Sequence, residues 1–362
     1  MKPGELTLKD VQIFKCFAIL MIALHNFLHS FPTPSQNEFT YQRVFFDQFL
    51  EVFYTTPELI IQGVFSYLGH FGVQVFIIIS AYGLTLSHYQ AQQYYGRFVV
   101  SRMKKIYPAF LLAILAWLCL RILWLLLQDD FSVARLELPA IALKLLLLSA
   151  FIPGYELEPV GPWWFIPFIF QFYLLFPLLS SLHQRYGNLA LLAISAVGIL
   201  AGYSADLVPF GIYYTVLPHL PVICFGIYLA CNPQFELNKG LLLLCLLVFV
   251  LGNFFAVFFV FTHITAGLLF LALFVYLKNC LTSGSRVEKA VLFIGQISLQ
   301  IFLVNGFCRT PMFEWALADG RWFMIYFYTL IFLTITLLLS VFLYFFEYYA
   351  MRYIKKKYSS AL

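Results

Sequence analysis

The sequence predicts an all-α polytopic membrane protein with about ten transmembrane helices and both termini in the cytoplasm. Three observations carry this. Only 11% of the 362 residues are charged and 62% are hydrophobic, for a mean hydropathy of +0.87; a soluble domain carries roughly 25% charged residues. The apolar residues fall in repeated continuous runs of about twenty, the length at which a helix crosses a bilayer. They do not alternate with polar residues, which argues against a membrane β-barrel.

Taken in order, spans are expected at 11–31, 67–88, 106–127, 163–182, 188–205, 211–231, 240–260, 262–278, 290–310 and 322–350. The run 140–152 is interrupted by Lys144 and bounded by Pro139 and Pro153. It has about half the spanning length and reads as an interfacial or re-entrant piece. Positive charge then orients the chain. With Lys2 and Lys9 cytoplasmic, the loops on that side carry Arg97, Arg102, Lys104, Lys105, Arg185, Lys239, Lys278, Arg286 and Lys289, and the tail Arg352 and Lys355 to Lys357. The opposite loops carry Glu38, Asp47, Glu51, Glu58, Asp129, Asp130, Glu156, Glu158, Asp206 and Asp319. This is the positive-inside pattern. The formal charge of +5 therefore reads as topology signal, and membrane lipid rather than nucleic acid is the expected surrounding.

The two longest connections, 32–66 and 128–162, fall outside on this topology. Phe45, Phe46, Phe49, Phe53 and Tyr54 suggest that the first packs on the membrane face. Residues 1–362 are expected to form a single transmembrane domain with no appended soluble domain. No A-x-A cleavage site follows the first apolar run, so it is expected to stay as an anchor. The seven cysteines, 16, 119, 224, 231, 245, 280 and 308, lie mostly inside apolar runs and form no CxxC pair. They read as packing residues, with no disulfide or metal site.

Polar residues inside hydrocarbon are costly and call for a partner or a function. The segment KCFAILMIALHNF, 15–27, holds a lysine and a histidine. His25 can take a proton from a hydroxyl near neutral pH; bonding to a neighbouring helix is the plainer alternative. His29 lies one turn on. Lys15, ten residues before His25, sits roughly 15 Å down the helix and about 80° around it, so Asn26 rather than His25 stacks above it. A snorkelling anchor is the plainer reading of Lys15.

GHFGVQVFIIISAYGL, 69–84, brings His70, Gln74 and Ser80 into the second span among small residues that permit close helix approach. A two-histidine site of His25 and His70 is geometrically possible. Arg97, Arg102, Lys104 and Lys105 precede Pro108, which marks a helix start; such a cluster holds topology, binds anionic lipid or cradles a phosphorylated ligand. WWFIPFIFQFYLLFPLL, 163–179, places tryptophans at the interface and Gln171 and Tyr173 within the bilayer, with Pro167 and Pro177 as bends. Asn305 and Glu347 are further intramembrane polar residues, and Glu347 has Arg352 or a loop cation as its expected partner. No P-loop, dinucleotide fingerprint, HExxH or GxSxG occurs.

In this order and register, the basic residue and histidine of the first helix, GHFGVQVFIIISAYG, the R-x-x-K-I-Y-P of 102–108, WWFI…QFYLLFP, IGQIS and a glutamate in the final helix resemble the acyltransferase-3 family over nearly the whole chain. The resemblance implies a bacterial inner-membrane O-acyltransferase. Such an enzyme moves an acyl group, chiefly acetyl from acetyl-CoA, to a hydroxyl of a cell-surface polysaccharide or lipid-linked sugar, without a metal. It implies that His25 is the essential histidine and Lys15 its basic partner. Arg102 and Lys105, with Arg97 and Lys104, would contact CoA phosphates. His70, Gly72 and Ser80 match the second-helix motif, and Trp164, Tyr173 and Pro177 the W…Y…P helix. Asn305 and Glu347 complete the set of substrate-side residues.

The chain departs from the family pattern in places. The usual lysine-or-arginine to histidine spacing is one residue longer, Gln74 replaces an aspartate, Ala81 a glycine and Asn305 a histidine. The acidic residues often found after the tryptophan are absent, with Gln171 nearby. A transporter or flippase of a lipid-linked saccharide is the alternative, although no internal repeat or paired broken helices are visible. A structural partner in a polysaccharide-synthesis complex is a third reading.

Overall fold

Backbone polar groups inside lipid must be satisfied within their own segment, and every regular element found here is a helix. The computed structural model describes residues 6–32, 38–91, 94–129 and 132–359, and no strand occurs among them. The helices are α1 (Leu8–Leu28), α2 (Arg43–Thr55), α3 (Ile60–Leu68), α4 (Gly72–Ala91), α5 (Tyr95–Leu127), α6 (Leu138–Leu145), α7 (Phe165–Tyr186) and α8 (Asn188–Tyr203). They continue with α9 (Leu220–Cys231), α10 (Lys239–Phe254), α11 (Ala256–Phe259), α12 (Thr262–Asn279), α13 (Arg286–Gln296), α14 (Ser298–Val304), α15 (Arg309–Asp319) and α16 (Trp322–Ser359). Lys2 and Asp130 lie outside the described residues, as do the side chains of Lys355 and Lys357.

Six described segments are long and apolar enough to cross a membrane: Leu8–Leu28, Pro57–Ser87, Tyr95–Leu127, Gly161–Tyr186, Thr262–Asn279 and Trp322–Tyr353. A seventh arises if α13 and α14, bent by 61°, count as one span. The remaining three expected spans coincide with the shorter apolar helices Asn188–Tyr203, Leu217–Cys231 and Lys239–Phe254.

Several expected boundaries move. The basic cluster 97–105 is not a loop ahead of Pro108: α5 runs through it, with Pro108 inside the helix. The second span begins at Pro57 rather than 67, and a tight turn at Gly69–Phe71 joins α3 to α4. Only Pro177 is internal to α7, because Pro167 falls in its first turn, where a missing N–H costs little. In place of a helix over 211–219, two short turns at Ile212–Tyr214 and Leu217–His219 lead into α9.

α1 is the central element, touching α3, α4, α12, α13, α14, α15 and α16. A capping box starts it: Thr7 Oγ1 accepts from Asp10 N at 3.2 Å, and Thr7 N donates to Asp10 Oδ2 at 2.9 Å. Two ion pairs tie this end to later helices, Lys9–Glu288 at 2.6 Å and Lys278–Asp10 at 3.0 Å. Beyond it, Phe14, Ile19 and Ile22 enter the main core with Val75, Ile78, Phe172 and Phe274. Two glycines set how closely the second span lies on α1. A Cβ at Gly69 would stand 2.7 Å from His25 Cβ, and one at Gly72 would stand 2.7 Å from the Ala18 carbonyl oxygen.

Candidate active site

Polar side chains gather along α1 at two levels, called proximal and distal from the start of the helix. At the proximal level a cavity of about 200 Å³ is lined by Lys15 and Ile22 of α1, Val73, Phe76 and Ser80 of α4, Lys105 of α5, and Phe165, Ile169 and Tyr173 of α7. The spacings i and i+7 on α1, i, i+3 and i+7 on α4, and i, i+4 and i+8 on α7 each trace one helix face. Four expected site residues, Lys15, Ser80, Lys105 and Tyr173, thus meet in one space. Arg102 lies beside it, near enough to Lys105 and Tyr173 to act on both electrostatically. Its Nη2 donates to Ser87 Oγ at 3.3 Å, and its guanidinium lies 5.2 Å from the Phe98 ring centre.

At the distal level a polar vestibule of about 590 Å³ is lined by Asn26, His29, Glu38, Glu158, Trp164, Tyr214 and Arg309, among others. Lys15, Ile22, Asn26 and His29 follow one stripe of α1, so one helix face serves both spaces. This is the stacking of Asn26 over Lys15 expected from the helical angle.

His25 is buried, at 2% exposure, on the adjoining face. Its Nδ1 lies 3.0 Å from the Ser66 carbonyl oxygen and 3.3 Å from that of Phe65. Carbonyls only accept, so Nδ1 carries the hydrogen in this arrangement. Nε2 faces Glu38 Oε2 at 3.6 Å. The Glu38 carbonyl accepts in turn from His263 Nε2 at 3.3 Å. The His29 ring stacks on His25 at 4.6 Å, and the His70 ring meets it edge-on at 5.3 Å. His29 is thus partly buried and packs against His25.

Asn305 is fully buried. Its Oδ1 accepts from Asn26 Nδ2 at 2.8 Å, and its own Nδ2 donates to the carbonyls of Ile301 and Phe302. Arg309 Nη1 donates to the Asn26 carbonyl at 3.4 Å. Burial lowers the Arg309 pKa and the charge of Glu158 opposes this. Behind the vestibule, Glu137 is pushed up by burial and then by Glu158, with Arg121 opposing.

Other expected site residues lie elsewhere. Arg97 is exposed and its guanidinium rests 5.8 Å from the Tyr94 ring centre. Lys104 is exposed and lines neither space. Among the described residues Glu347 forms no ion pair with Arg352 or a loop cation; it accepts from Gln300 Nε2 at 2.8 Å, and both line a separate groove with Arg352. Sequence reasoning missed Glu38, Glu158 and Arg309. The first two appeared only as loop charges, and Arg309 fell inside an expected span.

The acyltransferase-3 family, described as an acyltransferase domain, matches residues 8–345. The chain belongs to this family and is a multi-pass membrane protein with an acyltransferase domain. No curated protein and no solved structure matches it.

Proposed function

We propose that this member of the family transfers an acyl group, acetyl by preference, from acyl-CoA to a hydroxyl of a cell-surface polysaccharide or lipid-linked sugar. The observation that carries this reading is the pair of spaces on one face of α1, cationic at one level and lined by Glu38 at the other, where Glu38 faces the buried His25. In this reading the proximal end is cytoplasmic and the chain crosses a bacterial inner membrane ten times, with both termini inside. The positive-inside charge pattern supports that orientation.

The donor enters from the proximal side. Lys105 and Arg102 match its phosphates as charge partners, and the small apolar-walled cavity suits its acyl-thioester arm rather than the whole nucleotide. The acceptor enters through the vestibule. His25 Nε2 takes the proton of the acceptor hydroxyl as that oxygen attacks the thioester carbonyl. Collapse of the tetrahedral intermediate breaks the carbon–sulfur bond, and the imidazolium returns the proton to the departing thiolate. The products are an ester and free CoA. Transfer through an acyl-histidine would use the same nitrogen. Glu38 faces the nitrogen that becomes positive. Lys15 and Ser80, which share the donor cavity, are the candidate oxyanion donors; Asn305 is less suited, because its amide hydrogens are already engaged by two backbone carbonyls.

The test supplies acetyl-labelled acetyl-CoA to membranes holding the intact chain or His25→Ala. Label entering glycan only with His25 supports the reading. Unchanged O-acetylation in a well-expressed His25→Ala variant overturns it and favours the transport alternative.

A further inference from the structure

We infer that the distal vestibule takes an uncharged saccharide ring and selects against acidic sugars. This rests on the proposed reading of the vestibule as the acceptor side.

One wall is aromatic. Phe39 lies 5.4 Å from Trp164 and 4.3 Å from Tyr214, and Trp164 lies 6.0 Å from Tyr214, between ring centres. These rings present π faces of negative quadrupole, which suit the weakly positive C–H face of a pyranose. The same space is lined by the Asn26 amide, the Thr40 hydroxyl and the Gln42 amide, polar groups of the kind that pair with hydroxyls. Aromatic and amide groups together fit a polyol ring better than an acyl chain or a peptide.

Charge narrows the choice. Two carboxylates, Glu38 and Glu158, and one guanidinium, Arg309, line the space. Arg309 donates one N–H to the Asn26 carbonyl and feels the charge of Glu158. Glu38 faces His25. A carboxylate on the acceptor would meet two like charges against a single permanent cation among the described lining residues. Like-charge juxtaposition at a partly desolvated site is a strong rejecting device.

The test uses the purified full chain in nanodiscs with labelled acetyl-CoA and two probes, methyl glucuronamide and methyl glucuronide, which keep the same ring hydroxyls and differ in the charge at C6. The expected result is acetylation of the glucuronamide at a rate at least ~10-fold above the glucuronide. Glu158→Gln removes one of the two like charges and leaves Arg309 in place, and the ratio should then narrow by ~10-fold or more. Because the ratio is read within one preparation, partial misfolding of the variant does not mimic it. Equal or faster acetylation of the glucuronide overturns the inference. Acetylation of neither probe, while His25-dependent label still enters membrane glycan, also overturns it and leaves acyl transfer standing. Label entering nothing defeats both readings.

Discussion

Both nitrogens of His25 face oxygen acceptors: Nδ1 points at the carbonyl of Ser66 at 3.0 Å, and Nε2 points at the carboxylate of Glu38 at 3.6 Å. The first contact fixes ring orientation and tautomer. The second places negative charge beside the nitrogen that gains a proton during transfer. Glu38→Gln keeps the size of the side chain and the backbone tether to His263 but removes the charge. Turnover should fall on the order of 10–100-fold with little change in KM for acyl-CoA. Glu38→Asp should recover part of the loss. Equal turnover of Glu38→Gln and the parent chain, read by CoA release, would remove Glu38 from the mechanism.

The cations of α5 divide into those that face the proximal cavity and those that do not. Both lysines are exposed, but Lys105 lines it and Lys104 lines neither space. Lys105→Met should raise KM for acyl-CoA by roughly 10-fold through loss of a charge-assisted contact. Lys104→Met should change it by less than about 3-fold, as expected for a solvent-exposed charge. A titration of acyl-CoA against both variants separates phosphate binding from a general basic field, which would make the two equivalent.

How far the sequence reached depends on the range of the interaction involved. The helical angle alone set Asn26 above Lys15, and the structure keeps that stripe along both spaces. Run length likewise located α1, α7, α12 and α16. Breaks within spans were less legible. The 61° bend between α13 and α14 has no proline to announce it, and α5 continues through Pro108 despite having one. Glu38 and Arg309 were invisible as site residues for a different reason. Glu38 reaches His25 by folding back from the connection after α1, and Arg309 reaches Asn26 from the start of α15; local periodicity carries no signal for such contacts.

Gly69 supports His25 through lack of a side chain. A Cβ there would lie 2.7 Å from His25 Cβ and 2.9 Å from the Met21 carbonyl oxygen. Neither neighbour is the end of a flexible side chain, so the second span and α1 must separate. Gly69→Ala should therefore cost activity more than expression, at least ~10-fold in turnover, since small misplacements of catalytic groups are severe. Gly83→Ala is the control, because nothing lies within 4 Å of a Cβ at that position. Turnover normalised to folded protein by size-exclusion chromatography reads the difference.

Lys144 offers a pH test outside the spans. It is wholly buried in the short helix α6, and its ammonium donates to the Glu156 carbonyl at 2.5 Å. Burial lowers its pKa to about 7, with Glu156 and Glu158 opposing the shift. The unfolded chain has the ordinary value near 10.5. Below pH 7 both states hold the proton and the burial penalty is fully present. Between about pH 7 and 10.5 the unfolded state binds more protons than the folded one, so this group makes stability rise with pH. The full span amounts to a few kcal/mol at most, at about 1.4 kcal/mol per pH unit. The melting temperature of the parent chain in detergent should therefore climb from pH 7 to pH 9 relative to Lys144→Met, which lacks the titrating group. Parallel pH dependences for the two chains would show that Lys144 does not titrate in this window.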